Sequence, residues 1–405
     1  MHLLMLASYF PKPGNPLIGT WALDQAQALR RAGADVRVVS LTPWIPRWPG
    51  QRSAVQAYSM CPPSADWNGL RADYPRWPYY PVTAVERLYL PNPELWMRLA
   101  WSVCQRRVMA LARQWHPDVI FAHHSCVNGW VAMRIAANLG VPFFCQDHAL
   151  WEISACKEHP KRRRMLNSIA SHASAMLVVS RRMAADLRRV APTAHIEMLY
   201  NGANLPPPAP QPTCSCPRPP VIFSAGMLIP YKAFDILLQA WAIVRARFPE
   251  ARLRIAGEGP ERDRLLALRE NLGLEESVEL LGCLPQSAVQ AEMAAARAFV
   301  LASWHETFGV VLIEAAAVGT PVVWANNAGA ADILEDGIHG LAIAPHSAES
   351  AASAILRLLS NPGEAASMGA AASRLVRERM TWDAVARRAI GLFSAALPPS
   401  AQRLH

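Results

Sequence analysis

The sequence predicts an α/β protein with two Rossmann-like domains, each built on a doubly wound parallel sheet. Both halves alternate apolar, strand-like segments with amphipathic, helix-like segments, which is typical of parallel sheets covered by helices. The chain of 405 residues is long enough for two hydrophobic cores. Between the halves, residues 203–220 read ANLPPPAPQPTCSCPRPP and hold too much proline for a helix or a central strand. We therefore predict an N-terminal domain over residues 1–202, a linker over 203–220, a second domain over 221–380 and an amphipathic helix within 381–405.

Composition excludes several classes of protein. Hydrophobic residues make up 52% of the chain, which is too many for a disordered protein. No uninterrupted apolar run reaches the roughly 20 residues that a membrane-spanning helix needs. The opening MHLLMLASYF lacks the basic start of a signal peptide and predicts a buried strand, so we expect a cytoplasmic protein. The cysteines have neither the spacing of a disulfide framework nor that of metal ligands.

The positive charge lies in the first half of the chain. Residues 1–200 hold 23 Lys and Arg against 12 Asp and Glu, a balance of +11, and residues 201–405 hold 17 against 19, a balance of −2. Part of the excess is the run KRRR, which includes Arg162 and Arg163. One interpretation is a solvated helix face; the other is that these arginines bind an anionic lipid-linked acceptor or an anionic membrane surface. We predict no nucleic-acid partner, because no recognition module accompanies the basic residues.

The first half also contains a long segment, about residues 44–101, that is rich in aromatic residues and proline. We expect it to be an irregular insertion after the second strand. Its Trp and Tyr residues alternate with arginines such as Arg47, Arg71 and Arg76. This combination suits a surface on which sugar rings stack, or a contact with the membrane interface.

Candidate functional residues of the first half follow predicted strands. Gly19 lies in the loop between the strand LLMLASYF and the helix TWALDQAQALRRAG, while His123 and His148 stand at the ends of DVIFAHHS and VPFFCQDH. Ligands of doubly wound sheets bind beyond the carboxyl ends of the strands. A histidine there is well placed to contact a substrate hydroxyl, although Gly19 is equally consistent with a plain turn and a lone histidine with a structural role.

The most informative segment is ASWHETFGVVLIEAAAVGTPVV, residues 302–323, which predicts a loop, a helix of small residues and a strand. It sets Glu306 and Glu314 around the helix start. The free N–H groups there, from about Phe308 to Val311, favour an anion. The alternative is that the acidic residues only complement the helix dipole.

Three further loops of the second half follow predicted strands. The first contains Gly226 and Lys232, the second contains Gly257 in the sequence GEGP, and the third contains Cys283 and Leu284. The Gly-x-Gly of the second loop does not complete a dinucleotide-binding fingerprint, so it does not indicate an NAD site.

Taken together, these residues resemble the retaining GT-B glycosyltransferases of family 4, also called glycosyl transferases group 1. The resemblance implies that two Rossmann-like domains face a cleft. It implies that Glu306 approaches the donor sugar, that amides including that of Val310 hold the diphosphate, and that Glu314 binds the ribose hydroxyls. The positions that match the motif of the family are Ser303, Glu306, Phe308, Gly309, Glu314 and Gly319 to Val323.

The same resemblance assigns roles to the other loops. It implies that Lys232 neutralises the departing diphosphate next to Gly226, and that the loops of Gly257, Cys283 and Leu284 lie near the nucleotide base. Where the family has an arginine after the glycine, this chain has methionine, at position 227.

In the first half, the resemblance implies that Gly19 lets the backbone approach the donor phosphates and the acceptor. It implies that His148 contacts the sugar and the acceptor, that His123 forms a wall of the crevice, and that the last helix crosses back to the first domain.

We therefore expect a hexosyltransferase that moves a sugar from a nucleotide-diphosphate sugar to a hydroxyl of a glycan or lipid-linked acceptor, in cell-surface polysaccharide synthesis. The expected catalytic residues are Glu306, His148 and Lys232. We expect neither a cofactor nor a metal, because the chain has no Asp-x-Asp and no His, Cys and carboxylate cluster with metal spacing. The alternative is a GT-B-shaped binding protein that has lost turnover, which Met227 motivates. A GT-B epimerase or phosphorylase is disfavoured because those families lack the Glu-Phe-Gly-Glu arrangement.

Overall fold

The computed structural model describes residues 1–16, 18–47, 53–78, 92–148, 150–205 and 218–398. The chain forms two compact units. The first comprises Met1–Tyr200 together with the segment from Trp382 onward, and the second comprises Asn201–Thr381. Most of the proline-rich linker, residues 206–217, lies outside the described residues.

An eight-stranded sheet forms the centre of the first unit. Its order is β10-β9-β8-β7-β1-β2-β5-β4, and neighbouring strands are parallel except for the pair β4 and β5. Two short strands, β3 and β6, pair separately. The strands of this unit are β1 (His2–Leu6), β2 (Asp35–Val39), β3 (Thr42–Pro43), β4 (Ser64–Trp67), β5 (Leu70–Asp73), β6 (Arg76–Trp77), β7 (Val119–His123), β8 (Phe143–Asp147), β9 (Ala175–Val178) and β10 (Ile196–Met198).

Helices cover this sheet because the central strands are apolar on both faces, with Leu3 to Leu6 of β1 and Val119 to Ala122 of β7 fully buried. A π-helix over Ser125–Gly129 leads into the fourth α-helix. The helices are α1 (Thr20–Arg31), α2 (Ser53–Ser59), α3 (Pro93–Trp115), α4 (Trp130–Leu139), α5 (Leu150–Glu158), α6 (Pro160–His172) and α7 (Arg181–Val190).

The second unit has a six-stranded, fully parallel sheet in the order β13-β12-β11-β14-β15-β16. Its strands are β11 (Val221–Ala225), β12 (Arg252–Ala256), β13 (Val278–Gly282), β14 (Ala298–Leu301), β15 (Val322–Ala325) and β16 (Gly340–Ile343). Its helices are α8 (Phe234–Arg247), α9 (Arg262–Asn271), α10 (Gln286–Ala295), α11 (Val310–Ala317), α12 (Ala348–Ser360) and α13 (Pro362–Arg379), with 3₁₀ turns at Pro230–Lys232 and Gly329–Asp332.

The last helix, α14 (Trp382–Ala395), belongs to the core of the first unit. It packs along α1, and the ring centroid of Phe393 lies 5.2 Å from that of Phe121 and 4.8 Å from that of Phe144. The aromatic side chain thus joins the helix to β7 and β8 through an apolar contact.

The prediction of an irregular insertion at residues 44–101 is wrong for the described part of that segment. Strands β4 and β5 form a hairpin that extends the main sheet, and α3 begins at Pro93. The hairpin turn is Asn68-Gly69, with φ of 57° and 79°. Asn-Gly is the preferred pair for such a turn because both positions need positive φ, so the sequence itself contains the signal for this hairpin.

The aromatic side chains of this segment are partly core residues. Tyr74 and Trp77 are buried. The Tyr74 hydroxyl accepts a hydrogen bond from Trp67 Nε1 at 2.8 Å and donates one to the Pro11 carbonyl at 2.7 Å. These rings therefore cannot form a sugar-stacking surface, while Trp48, Tyr79, Tyr80 and Tyr89 lie outside the described residues.

Candidate active site

Both sheets reverse their strand order at one point, and four of the candidate residues lie on or after the strands that border these points. In the second unit the reversal falls between β11 and β14, and in the first between β1 and β7. Ligands of open α/β sheets bind beyond the carboxyl ends of strands at such a point. Lys232 follows β11, Glu306 follows β14, Gly19 follows β1, and His123 ends β7.

Lys232 and Glu306 form an ion pair. The distance between Lys232 Nζ and Glu306 Oε2 is 2.5 Å, and only 16% and 14% of the two side chains are exposed. The two loops are also joined at Tyr231, whose carbonyl accepts hydrogen bonds from Ser303 Oγ at 2.9 Å and from the Trp304 amide at 3.2 Å. These bonds fix the positions of the loops that bear the two charges.

Helix α11 begins directly after this pair. Gly309 precedes its first residue with φ of 91°, a conformation that favours glycine. A Cβ on Gly309 would lie 3.0 Å from Leu312 Cδ1 and 3.2 Å from Glu306 Cγ, so a larger residue would press on the carboxylate. The Leu312 amide donates to the Gly309 carbonyl at 2.9 Å. The amides at the start of a helix attract negative charge.

The residues on either side of Gly309 are held by neighbouring elements. Phe308 is buried, and Gly329 packs so closely on the Thr307 carbonyl that a Cβ there would overlap it. Glu314 lies on the second turn of α11, where Gln286 Nε2 of α10 is 3.5 Å from its Oε1. The structure therefore places Glu314 in the second turn of this helix, beside Gln286.

The remaining second-unit candidates lie on three adjacent loops. The Gly226 amide donates to the Ala256 carbonyl at 3.0 Å, and the Gly257 amide donates to the Gly282 carbonyl at 2.8 Å. A Cβ on Gly257 would overlap the Gly226 carbonyl. Cys283 and Leu284 follow directly after β13, and Cys283 is exposed.

Met227, where the family has arginine, is 63% exposed beside this group. Arg262, another cation of the second unit, begins α9, and its Nε lies 3.6 Å from Glu258 Oε1. Arg262 is thus already paired with a carboxylate of the Gly257 loop.

In the first unit, Gly19 directly precedes α1 with φ of 68°, and a Cβ there would overlap the Tyr9 carbonyl. The glycine is required by backbone packing alone, so its contact with a ligand stays a prediction. Two residues later, the Trp21 ring lies 4.2 Å from the ring of His148 and 5.0 Å from that of His123.

His123 and His148 are hydrogen-bonded to each other. His123 Nδ1 and His148 Nε2 are 2.9 Å apart, and the rings are stacked with 5.0 Å between centroids. Burial, and then the neighbouring His124, lowers the pKa of His123 well below its usual value, so His123 is neutral. His123 is enclosed and His148 is half-buried. Ala149, which follows His148, lies outside the described residues.

Behind this pair lies a buried cluster of His124, Asp147 and Glu152. His124 Nδ1 is 3.1 Å from Glu152 Oε1, and the Ser125 amide donates to Asp147 Oδ1 at 2.7 Å. His124 has φ of 69° and ψ of 124°, which is unusual for a residue other than glycine. The π-helix begins at the next residue, so the strained backbone turns the His124 side chain toward Glu152.

Burial and mutual contact shift the pKa of each group in this cluster. Burial, and then the charge and hydrogen bond of Glu152, raises the pKa of Asp147 to about 8. For Glu152, burial raises the pKa, but His124, the Asp147 hydrogen bond and Arg162 together lower it below its usual value. Burial lowers the pKa of His124, and Glu152 and Asp147 outweigh this and raise it. The two carboxyl groups therefore share a proton beside a histidine.

The cluster also corrects the expectation that no group of His, Cys and carboxylate residues could hold a metal ion. Ligand atoms of His124, Asp147 and Glu152 lie within 4.8 Å of one another, the one such group within the described ranges. Spacing along the chain does not reveal it, because His124 follows β7, Asp147 ends β8 and Glu152 lies on α5. The ion pair of His124 with Glu152 and the proton shared by the two carboxyl groups account for their proximity.

Arg162 and Arg163 lie on α6 but face different surroundings. Arg162 is buried beside Cys156 and Glu152. Arg163 is exposed, and its guanidinium donates to the carbonyls of Val190 at 3.3 Å and Arg189 at 3.4 Å. The structure thus places Arg162 away from the surface, and Arg163 where it satisfies carbonyls at the end of α7.

Sequence reasoning missed Lys12. Its ammonium is buried and donates to the carbonyls of Ser8 at 3.2 Å and Phe10 at 3.1 Å. Burial lowers the pKa of Lys12 to about 8. It therefore fixes the loop after β1, and its position in the turn-rich stretch FPKPGNP gave no signal of burial.

Two Rossmann-like units with charged or imidazole groups at their switch points define a two-domain α/β protein of the GT-B class. Comparison with known proteins identifies the family. Glycosyltransferase Family 4 matches residues 18–205, and Glycosyl transferases group 1 matches residues 215–375. A D-inositol 3-phosphate glycosyltransferase from Frankia alni is 30% identical over 310 residues, which are 70% of this chain and 75% of the relative. The chain belongs to this family of glycosyltransferases.

Solved structures agree on the fold. Sucrose-phosphate synthase from Thermosynechococcus elongatus superposes with a TM-score of 0.73 at 20% identity, covering 98% of both chains. HepE of Anabaena, in complex with UDP and glucose, gives a TM-score of 0.69 at 18% identity over 98% of this chain and 100% of HepE. The predicted GT-B fold is confirmed. None of the described helices is both long enough and apolar enough to cross a bilayer.

Proposed function

We propose that this glycosyltransferase moves a sugar from a nucleoside-diphosphate sugar to a hydroxyl of a glycan or lipid-linked acceptor, with retention of the anomeric configuration and a role in cell-surface polysaccharide synthesis. The observation that carries the proposal is the Lys232–Glu306 pair at the start of α11. One cation, one carboxylate and a set of helix amides lie together at a sheet switch point. That is the chemistry needed to bind a diphosphate next to a sugar.

Each group has a separate task in this proposal. Lys232 and the first amides of α11 stabilise the negative charge that develops on the leaving diphosphate. Glu306 holds Lys232 in position and accepts hydrogen bonds from sugar hydroxyls, and Glu314 accepts them from the ribose. His148 contacts the sugar and the acceptor hydroxyl, with its ring held by His123 and Trp21.

The donor nucleotide is a diphosphate in this proposal, which is supported by the UDP bound to HepE. The loops of Gly257 and Cys283 are proposed to lie beside the base because they pack next to Gly226. No cofactor is required, since Lys232 and the helix amides provide the positive charge. The cytoplasm, where nucleotide-sugars are made, is the proposed location.

The test is release of nucleoside diphosphate from a panel of nucleotide-sugars, with and without a lipid extract. Wild type is compared with Glu306→Ala, Lys232→Ala and the control Glu275→Ala, an exposed residue between α9 and β13. We expect turnover by wild type and the control, and a loss of about 100-fold or more in the two site variants. Absence of turnover with every donor, in a folded wild type, would refute the proposal.

The second candidate is a binding protein without turnover. The exposed Met227 favours it, because the diphosphate would have one fixed cation fewer. Titration calorimetry with the same panel separates the two: binding of a nucleotide-sugar without release of nucleoside diphosphate supports the second candidate, and release supports the first.

A further inference from the structure

Helix α3 exposes large apolar side chains on the side opposite its buried face. Leu95, Trp96, Leu99 and Val103 are between 45% and 72% exposed. They are four of the eleven exposed large hydrophobic residues in the part of the chain that the structure describes. A helix on the surface of a globular protein normally presents polar residues there, so a concentration of this kind marks a contact surface.

The four side chains form one stripe. At about 100° per residue, they fall within an arc of roughly 100° on the helix circumference, over a length of about 12 Å. The buried residues Met97, Ala100 and Cys104 centre on an arc about 120° away. The stripe therefore faces away from the core, and we call it the α3 stripe.

Arginines border the α3 stripe. Arg106 projects from the same side one turn further along the helix, and Arg98 and Arg107 project from its two edges. All three are exposed. The helix holds four arginines and one glutamate over Pro93–Trp115, a balance of +3. Arg98 lies 2.7 Å from Glu94 within the helix, so the other arginines carry the uncompensated charge.

The neighbouring helix adds to this charge. Helix α6 packs directly against α3 and bears the exposed residues Lys161, Arg163 and Arg164. Packed helices lie about 8–10 Å apart, which is within the screening distance at physiological salt. The charges of the two helices therefore act as one positive field.

We propose that the α3 stripe inserts its apolar side chains into the headgroup region of an anionic lipid bilayer, while the arginines beside it contact lipid phosphates. Apolar side chains on one face, with arginines at its borders, are the features of a helix that lies in the plane of a membrane interface. Trp96 suits this position because its ring is apolar and its N–H is polar. Charge favours a membrane over a second copy of this chain, because two +3 helices repel each other across a shared stripe.

This proposal is independent of the donor site. It gives the protein a fixed surface on which a lipid-linked acceptor is available, but it holds even if the acceptor is a free glycan. A failure of membrane binding leaves the nucleotide-sugar assay unaffected, so the two claims fail separately.

The experiment is flotation of the full chain with vesicles of phosphatidylcholine alone, or with about 30% of the anionic lipid phosphatidylglycerol added. Leu99→Glu with Val103→Glu removes the apolar contact. Ile243→Glu, an exposed residue on α8 of the other unit, is the matched control. We expect binding to anionic vesicles by wild type and the control, and at least about tenfold weaker binding by the double variant.

Charge is tested with Arg106→Gln and Arg107→Gln against the control pair Arg245→Gln and Arg247→Gln on α8. Each arginine removed from α3 should weaken binding to anionic vesicles about fivefold and the control pair should not. Equal binding to neutral and anionic vesicles, or undiminished binding by the α3 variants, would overturn the proposal. So would a concentration-dependent dimer that Leu99→Glu abolishes, because a second copy would then cover the stripe.

Discussion

Lys232 Nζ lies 2.5 Å from Glu306 Oε2, and the two residues follow the neighbouring strands β11 and β14. The pair connects the two loops that meet where the strand order reverses. Ser303 and Trp304 bind the carbonyl of Tyr231, next to Lys232, so the backbone holds the two charges in register. The two loops therefore hold Lys232 next to Glu306 by themselves, whatever role the pair has with a donor.

The ion pair should be visible in stability measurements. Lys232→Met or Glu306→Gln leaves one partly buried charge without its partner, and each should lower the free energy of unfolding by about 2 kcal/mol. The double variant should cost less than the sum, because removing the second charge removes the penalty. A double-mutant cycle by chemical denaturation measures this. The exposed pair Arg357–Glu364 is the control and should show little coupling; equal coupling in both cycles would contradict the expectation.

Gly309→Ala should damage turnover through Glu306. Alanine at positive φ costs about 1–2 kcal/mol, and its Cβ would lie 3.2 Å from Glu306 Cγ. We expect turnover to fall by about tenfold or more. The control is Gly273→Ala, which has φ of 63° but no atom within 4 Å of the added Cβ. It should lose stability without losing turnover; similar losses of turnover in both variants would show that backbone strain, not contact with the carboxylate, is responsible.

Met227→Arg should strengthen donor binding. The side chain is exposed beside Gly226, and an arginine there restores the cation that this family usually has. We expect KM for the nucleotide-sugar to fall by about tenfold. Steady-state kinetics at several salt concentrations measure the change. Ile338→Arg adds the same charge to another exposed position of the second unit and should leave KM unchanged; a fall in both variants would indicate a general charge effect.

Asp147→Asn should change how stability depends on pH. The folded state keeps Asp147 protonated up to its pKa of about 8, whereas the unfolded chain releases this proton near pH 4. Its stabilising effect is complete below pH 4 and is lost as pH rises toward 8. Asn mimics the protonated form and can still accept the Ser125 hydrogen bond. Wild type should therefore lose stability relative to the variant between pH 5 and 8, by up to about 1.4 kcal/mol per pH unit.

Denaturation at a series of pH values measures this difference. The pKa values of His124 and Glu152 also shift on folding. Where these shifts are the same in wild type and variant, their effects on the free energy of unfolding cancel in the difference. The exposed Asp383→Asn variant should give a flat difference. A flat difference for Asp147→Asn as well would show that the carboxyl group is ionised in the folded protein.

Chelation should leave turnover unchanged. Lys232 and the α11 amides supply the positive charge in the proposed reaction, so dialysis against EDTA should not lower the rate of nucleoside diphosphate release. Loss of activity that Mn²⁺ or Mg²⁺ restores would contradict this. If Mn²⁺ or Mg²⁺ then failed to restore activity in Glu152→Gln, the ion would be assigned to the cluster of His124, Asp147 and Glu152.

The sequence predicted that the second-unit candidates lie close together, because the determinants of their positions are local. Glu306, Gly309 and Glu314 lie within one loop and one helix, and Lys232 follows the adjacent strand, so the order of elements alone brings them near each other. Pairing of Lys232 with Glu306 was not foreseen, since each charge was assigned to the donor rather than to the other. The role of Ser303 as a link to Tyr231 also depends on tertiary contact.

The first-unit site was less predictable. His123 and His148 were placed at strand ends, but their mutual hydrogen bond depends on the register of β7 and β8. His124 and Glu152 gave no signal because their contact arises from a left-handed backbone conformation and a π-helix. Burial of Tyr74 and Trp77 was missed because hydrophobic aromatic residues look alike in sequence whether they form a core or a surface.

The most direct test of the central claim is transfer of a ¹³C-labelled sugar from the best donor of the panel to an acceptor hydroxyl, followed by NMR of the anomeric carbon. The account predicts that wild type forms a glycoside with the anomeric configuration of the donor, and that Glu306→Gln and Lys232→Met form it at least about 100-fold more slowly. Product formed at an undiminished rate by both variants would contradict the account, because the Lys232–Glu306 pair would then lie outside the reaction.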